Sequence, residues 1–161
     1  MNGQVHIHPW EKRWIQFSIV LLVTFMLAVG VSAFAFGFQV PAPERQVDPN
    51  TVALEGPFAK PGLRELAPGK YEVYILSQIW SFVPNEIRIP AGSTVTFYVT
   101  SKDVQHGFLI QGTNINVQVV PGYVSTLTHR FDKPGTYLFV CTEYCGIGHQ
   151  GMYGRLIVEE R

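Results

Sequence analysis

One twelve-residue stretch, residues 141–152, concentrates side chains that are suited to binding a metal ion. It contains two thiols, a carboxylate, an imidazole and a thioether, which belong to Cys141, Cys145, Glu143, His149 and Met152. Thiolates, imidazoles and thioethers are soft or borderline donors, and such donors select copper or zinc over calcium, magnesium or manganese. The stretch is therefore a candidate site for a soft transition metal.

A second imidazole, that of His106, lies at the start of an apolar run far upstream of this stretch. It is too distant along the chain to bind the same ion through a local loop. A folded domain has to bring it in, which would fix the site to the body of the protein.

Several kinds of site are compatible with these side chains. A disulfide between Cys141 and Cys145 is common outside the cytoplasm, and two thiolates with two imidazoles form an ordinary tetrahedral zinc site. Zinc leaves Met152 unexplained, whereas a thioether suits copper. A single blue copper ion needs one thiolate only. Two thiolates, two imidazoles and a thioether are sufficient for two copper ions bridged by both sulfurs.

The chain that positions these residues alternates apolar and polar side chains from residue 70 onward, the pattern of half-buried strands. Proline and glycine mark turns between the strands, at 90–92, 121–122 and 134–135. Short strands at such regular spacing predict an antiparallel sandwich or barrel. The predicted strands are 71–76, 86–89, 94–100, 106–111, 115–120, 123–129, 136–140 and 153–158.

Residues 15–40 contain no charged side chain. As a helix this run is about 39 Å long at 1.5 Å per residue, enough to cross a hydrocarbon core of about 30 Å. A cleaved signal peptide is the alternative, but its apolar region spans only about 7–15 residues. We therefore expect a retained transmembrane helix. Lys12 and Arg13 before the run, against Glu44 and Arg45 after it, predict a cytoplasmic N-terminus and an external C-terminal domain.

The predicted organisation has four parts: a tail at 1–14, the transmembrane helix at 15–40, a proline-rich linker at 41–69 and a β domain at 70–161. The linker shows no sustained periodicity and is predicted to lie outside the strand-rich core. The formal net charge is zero, so no basic surface indicates nucleic-acid binding.

The metal-binding pattern resembles the binuclear copper (CuA) motif of cytochrome c oxidase subunit II. The motif here is His106, then Cys141-x-Glu143-x-Cys145-x-x-x-His149-x-x-Met152. The resemblance extends to residues 103–108 and 120–122. With one predicted membrane helix, and with the sequence at 112–117, the chain is most similar to the short subunit II of B-family (ba-type) prokaryotic oxidases.

This resemblance implies a cupredoxin-like Greek-key β-sandwich or barrel preceded by one N-terminal transmembrane helix. It implies that Cys141 and Cys145 bridge two copper ions, that His106 and His149 each bind one, and that Met152 is a weak ligand. Glu143 would contribute its main-chain carbonyl, and its carboxylate would either face a magnesium ion shared with the haem-bearing subunit or lie in solvent. Hydrogen bonds to the imidazoles are also expected, with Asp103 as a candidate partner.

The function implied is electron transfer in a haem-copper terminal oxidase of the prokaryotic plasma membrane. Cytochrome c or a small copper protein would donate electrons on the outer face, through Trp80 or Phe82, and haem in subunit I would receive them and reduce oxygen. A packed core position is the alternative for either aromatic residue. The alternative functions are the CuA subunit of a nitric oxide reductase, a membrane-tethered copper carrier and a zinc-stabilised binding module.

Overall fold

The first part of the chain is a single helix, α1 (Pro9–Phe36), in a computed structural model that describes residues 8–37 and 43–160. No residue of the helix is buried, and beyond the charged residues 11–13 its side chains are mostly apolar on all sides. Gly37 ends it in the left-handed conformation, at φ 60°, and donates its N–H to Ala33 O. At 28 residues the helix is long and apolar enough to cross a membrane.

The helix begins earlier than the sequence predicted. Its first turn includes Pro9, Trp10 and Glu11, which were assigned to the tail. Proline suits the first helical position because its missing N–H has no partner there. Residues 38–40, predicted as the end of the helix, lie outside the described residues.

The second unit is built from two β-sheets. Its strands are β1 (Pro43–Gln46), β2 (Gly62–Ala67), β3 (Lys70–Gln78), β4 (Ser81–Val83), β5 (Glu86–Pro90), β6 (Ser93–Ser101), β7 (His106–Ile110), β8 (Asn116–Val119), β9 (Tyr123–Phe131), β10 (Gly135–Val140) and β11 (Tyr153–Glu159). The six-stranded sheet has the order β1-β9-β6-β3-β2, with β4 also paired to β3, and the five-stranded sheet has the order β5-β11-β10-β7-β8. All eight predicted strands are among these eleven, with ends within two residues of those expected.

The sandwich is mixed, and the prediction that it is wholly antiparallel is wrong. β3 runs parallel to β6, and β5 runs parallel to β11, while the other pairs are antiparallel. Alternation along a strand shows which face is buried but not the direction of the neighbouring strand, so the sequence pattern did not contain this information.

A hydrophobic core fills the space between the sheets. In β6, Val95, Phe97 and Val99 are fully buried, as the alternation in this segment predicts. Phe108 of β7 and Phe139 of β10 join the core from the other sheet, and the ring centroids of these two phenylalanines are 5.4 Å apart. The core supports the strand ends that carry the candidate metal-binding residues.

The linker was predicted to lie outside the strand-rich core, but its described part, residues 43–69, contributes β1 and β2 to the six-stranded sheet. Between these strands the chain packs on the outer face of that sheet. Val52 and Phe58 are buried there against Tyr74 and Val124. Isolated apolar residues in a proline-rich segment carry no period, so this second hydrophobic cluster was not recognisable from sequence.

Candidate metal centre

Strand pairing explains how the two distant parts of the site meet. The loop 141–152 joins β10 to β11, and Cys141 N–H donates to Met152 O at 3.1 Å across its base. β7 lies beside β10 in an antiparallel pair, so the start of β7, with His106, reaches the start of the loop. Gly107 makes this approach possible, since a Cβ atom there would lie 2.0 Å from Thr142 Oγ1.

The structure brings together the donor atoms predicted from the sequence. The Sγ atoms of Cys141 and Cys145 are 3.8 Å apart, and His106 Nδ1 is 3.8 Å from Cys141 Sγ. His149 Nδ1 is 3.6 Å from Cys145 Sγ, and Met152 Sδ is 3.7 Å from that same sulfur. Each thiol therefore has its own imidazole neighbour.

The cysteines are both free thiols. A disulfide needs an S–S distance of about 2.05 Å, well below the separation observed. The main-chain oxygen of Glu143 is 3.2 Å from Cys141 Sγ, so this carbonyl also faces the sulfur pair. The Glu143 side chain is partly exposed.

Burial makes ionisation of the two thiols depend on a nearby cation. His106 is completely buried, and Cys141, Cys145 and Met152 are also buried. Burial and the neighbouring Cys141 sulfur raise the pKa of the Cys145 thiol to about 11, because both disfavour a thiolate. A pair of buried thiolates therefore calls for a compensating cation.

The donor set has room for a metal ion, and its chemistry favours copper. Zinc–sulfur bonds are about 2.3 Å long, and two sulfurs 3.8 Å apart could both bind one ion at that distance. Two soft sulfurs, two imidazoles and a thioether match the preferences of copper. His106, Cys141 and Cys145 already form a cluster whose donor atoms all lie within 4.8 Å of one another.

Asp103 holds His106 in place, and the prediction that Asp103 is a hydrogen-bond partner of an imidazole is confirmed. Its Oδ1 is 2.9 Å from His106 Nε2, which leaves Nδ1 directed at Cys141. Burial opposes ionisation of Asp103, but hydrogen bonds from His106 and from the backbone N–H groups of Ile79 and Val104 outweigh it and lower the pKa of the carboxyl.

Trp80 and Phe82, the two predicted electron acceptors, have different environments. The Trp80 side chain is 44% exposed, and its Nε1–H donates to Cys145 O at 3.2 Å. Phe82 is only 1% exposed and packs edge-on against Phe108 and Phe139. Trp80 is accessible on the surface of this chain, whereas Phe82 occupies the packed core position that was the alternative for either residue.

Two contacts around the site were not anticipated from the sequence. Ile79 N–H donates to Asp103 Oδ2 at 2.7 Å, which ties the turn carrying Trp80 to the residue that orients His106. Gly107 makes room for the ligand loop. A glycine next to a candidate ligand was the available signal for the second contact, whereas nothing in the sequence marks the first.

Comparison with known proteins agrees with this geometry. Residues 70–160 match the family model for cytochrome c oxidase subunit II, periplasmic domain. A cytochrome c oxidase subunit 2 of Thermus thermophilus is 41% identical over 158 residues, covering 96% of this chain and 94% of that protein.

Solved structures show the same relationship. A subunit of a haem-copper terminal oxidase dimer superposes with a TM-score of 0.76 at 38% identity, covering 92% of this chain and 99% of that chain. The periplasmic domain of subunit II of the Bradyrhizobium japonicum cytochrome oxidase, at 20% identity, covers 55% of this chain and 83% of its own with a TM-score of 0.52, and supports the cupredoxin-like fold. The chain therefore belongs to the cytochrome c oxidase subunit II family and is a subunit of a haem-copper oxidoreductase complex.

Proposed function

We propose that the site is a binuclear copper (CuA) centre that accepts electrons for the oxidase. The observation that carries this proposal is the pair of buried sulfurs 3.8 Å apart, each with an imidazole nitrogen within 3.8 Å. Two bridged copper ions can share one electron, so that the bonds change little on reduction. The ligands would be His106, Cys141, Cys145, His149, Met152 and the main-chain carbonyl of Glu143.

The protein would hold the ligands in position before the electron arrives. Asp103 fixes the orientation of His106, and the strands on either side hold the loop against β7. A rigid set of ligands lowers the structural rearrangement that accompanies a change in charge. Burial of the sulfurs excludes water from them.

The electron donor would be cytochrome c or a small copper protein, and it would contact Trp80. The exposed part of this indole faces solvent, and its N–H reaches the carbonyl of Cys145. The partner subunit, which holds haem, would receive the electron and reduce oxygen to water. The described residues of this chain would serve transfer only.

We place the copper domain on the outer face of the prokaryotic plasma membrane, with the N-terminus in the cytoplasm. The positive residues Lys12 and Arg13 before the apolar helix support this orientation. The Glu143 carboxylate is available for a magnesium ion shared with the haem-bearing subunit, because this side chain is partly exposed while its carbonyl faces the sulfurs.

Electron paramagnetic resonance of the copper-loaded protein in detergent tests the proposal. A mixed-valence bridged pair gives a purple protein with a seven-line hyperfine pattern, and Cys145→Ser should abolish both. A four-line pattern would indicate a single copper ion.

Other outcomes would favour the alternative functions. A colourless zinc protein would support a zinc-stabilised module, and rapid copper exchange would support a carrier. Turnover of the complex with nitric oxide but not oxygen would support a nitric oxide reductase.

A further inference from the structure

We infer that Gly146 and Gly148 form a packing surface on the ligand loop that positions the indole of Trp80. A single methyl group added at position 148 would then slow electron acceptance while the metal site stays intact. This inference rests on the proposed function, since it concerns how the donor's electron reaches the sulfurs. It identifies Gly148 as a positioning residue that acts through Trp80.

The indole lies directly on the loop backbone. A Cβ atom at position 148 would be 2.5 Å from Cδ2, 2.6 Å from Cγ and 2.8 Å from Cε3 of Trp80. A Cβ atom at position 146 would be 3.0 Å from Nε1 of the same ring. Carbon atoms that are not bonded prefer separations of about 3.5–4.0 Å, so an added methyl group has to displace the ring.

Space, not backbone conformation, requires a glycine at position 148. Gly148 has φ −89° and ψ 7°, which other residues adopt, although less often than the main helical and extended regions. Gly146 has φ 118°, so glycine is also needed there for its backbone. Position 148 therefore separates the contact with Trp80 from any requirement for a left-handed conformation.

This packing surface places the indole at the end of a short route for electrons to the Cys145 sulfur. From the ring the route passes through the hydrogen bond of Nε1–H to Cys145 O, 3.2 Å long, and along the Cys145 residue to Sγ. On the other side of the turn, Ile79 N–H is held by Asp103 at 2.7 Å. Displacement of the ring would lengthen the hydrogen bond without moving a metal-binding side chain.

The experiment compares Gly148→Ala with Gly151→Ala in the detergent-purified oxidase. Gly151 is in the same loop and is exposed, and a Cβ atom there would have no neighbour within 4 Å. In each variant the rate of copper-site reduction is measured with reduced cytochrome c and, separately, with ascorbate. One electron passes from the reduced donor to the oxidised site in either case. The electron-spin spectrum and the reduction potential report on the site itself.

We expect Gly148→Ala to lower the rate with cytochrome c by about tenfold, because rates that depend on positioning fall steeply with small displacements. Its spectrum, its potential and its rate with ascorbate should match those of Gly151→Ala. In a Trp80→Leu background, Gly148→Ala should cause little further loss, because both changes disrupt the same contact. Equal cytochrome c rates for Gly148→Ala and Gly151→Ala, or full additivity with Trp80→Leu, would overturn the inference.

If Gly148→Ala alone does not take up copper, the Gly148→Ala/Trp80→Leu pair decides the matter. The smaller side chain should restore copper uptake if the clash with the ring is the cause, and failure to restore it would overturn the inference. The proposed function is tested separately by the spectrum of the unmodified oxidase. A wild-type protein without the bridged-copper pattern would refute the proposed centre before any variant is compared.

Discussion

At the scale of single residues, the hydrogen bonds of Asp103 connect the candidate metal-binding side chains to the surface. Its two oxygens hold His106 on one side and the backbone of Ile79 on the other. Ile79 precedes Trp80, whose indole is bonded to the Cys145 carbonyl. One carboxylate thus orients an imidazole and the turn that bears the exposed aromatic ring.

His129 provides a prediction about pH at a position away from the candidate ligands. Burial lowers the pKa of its imidazole, although Asp132 opposes this effect, and its Nδ1 lies 3.0 Å from Asn114 Oδ1. The unfolded chain therefore binds a proton at higher pH than the folded chain. The stability contributed by neutral His129 is fully present above the unfolded pKa of about 6.5 and is lost as the pH falls below that value.

We expect His129→Gln to flatten the dependence of the unfolding midpoint on pH between about pH 5 and 7. Thermal unfolding of the copper-loaded chain in detergent, at a series of pH values, measures this. Wild type should lose more stability than the variant on acidification. An equal or steeper slope for the variant would contradict the assignment of a lowered pKa to His129.

At the scale of elements, the segment between β1 and β2 is part of the folded domain. Phe58 is buried, with its ring centroid 5.4 Å from that of Tyr74 in an edge-on arrangement. Tyr74 in turn stacks on Tyr98, and the Arg64 guanidinium lies 4.5 Å from the Tyr74 ring centroid. These contacts cover part of the outer face of the six-stranded sheet.

Phe58→Ala should therefore destabilise the domain by about 3 kcal/mol, through lost burial and an incompletely filled cavity. The copper spectrum should stay unchanged, because Phe58 packs in a cluster separate from the one that contains the two cysteines. Chemical denaturation followed by tryptophan fluorescence measures the loss. Leu54→Ala is the control, since Leu54 is in the same segment but 76% exposed. Similar free energies of unfolding for the two variants would show that packing of this segment does not stabilise the domain.

At the scale of the whole molecule, a bound metal should contribute to folding because its candidate ligands come from both the loop and β7. A ligand that binds only the folded state stabilises it by about 4 kcal/mol when the free ligand concentration is 1,000 times the dissociation constant. Removing copper with a chelator under reducing conditions should therefore lower the unfolding midpoint. A variant with both Cys141 and Cys145 changed to serine should be insensitive to the chelator. Equal midpoints for loaded and metal-free wild type would contradict this coupling.

The sequence by itself determined eight of the eleven strands in the described residues and the chemical nature of the candidate site. The period-two alternation identified eight strands, because a strand with one face on a core repeats every two residues. The long uncharged run identified the helix. The spacing of Cys141, Cys145, His149 and Met152 placed four donors on one loop, and the soft character of the set indicated copper.

Only the tertiary structure decided which elements are neighbours and which side chains are accessible. The parallel pairs β3–β6 and β5–β11 and the packing of residues 47–58 depend on contacts between segments far apart in sequence. For the same reason it separated exposed Trp80 from buried Phe82, two aromatic residues close together in the sequence. Local patterns report the environment of a segment, whereas the partners of a side chain depend on the path of the whole chain.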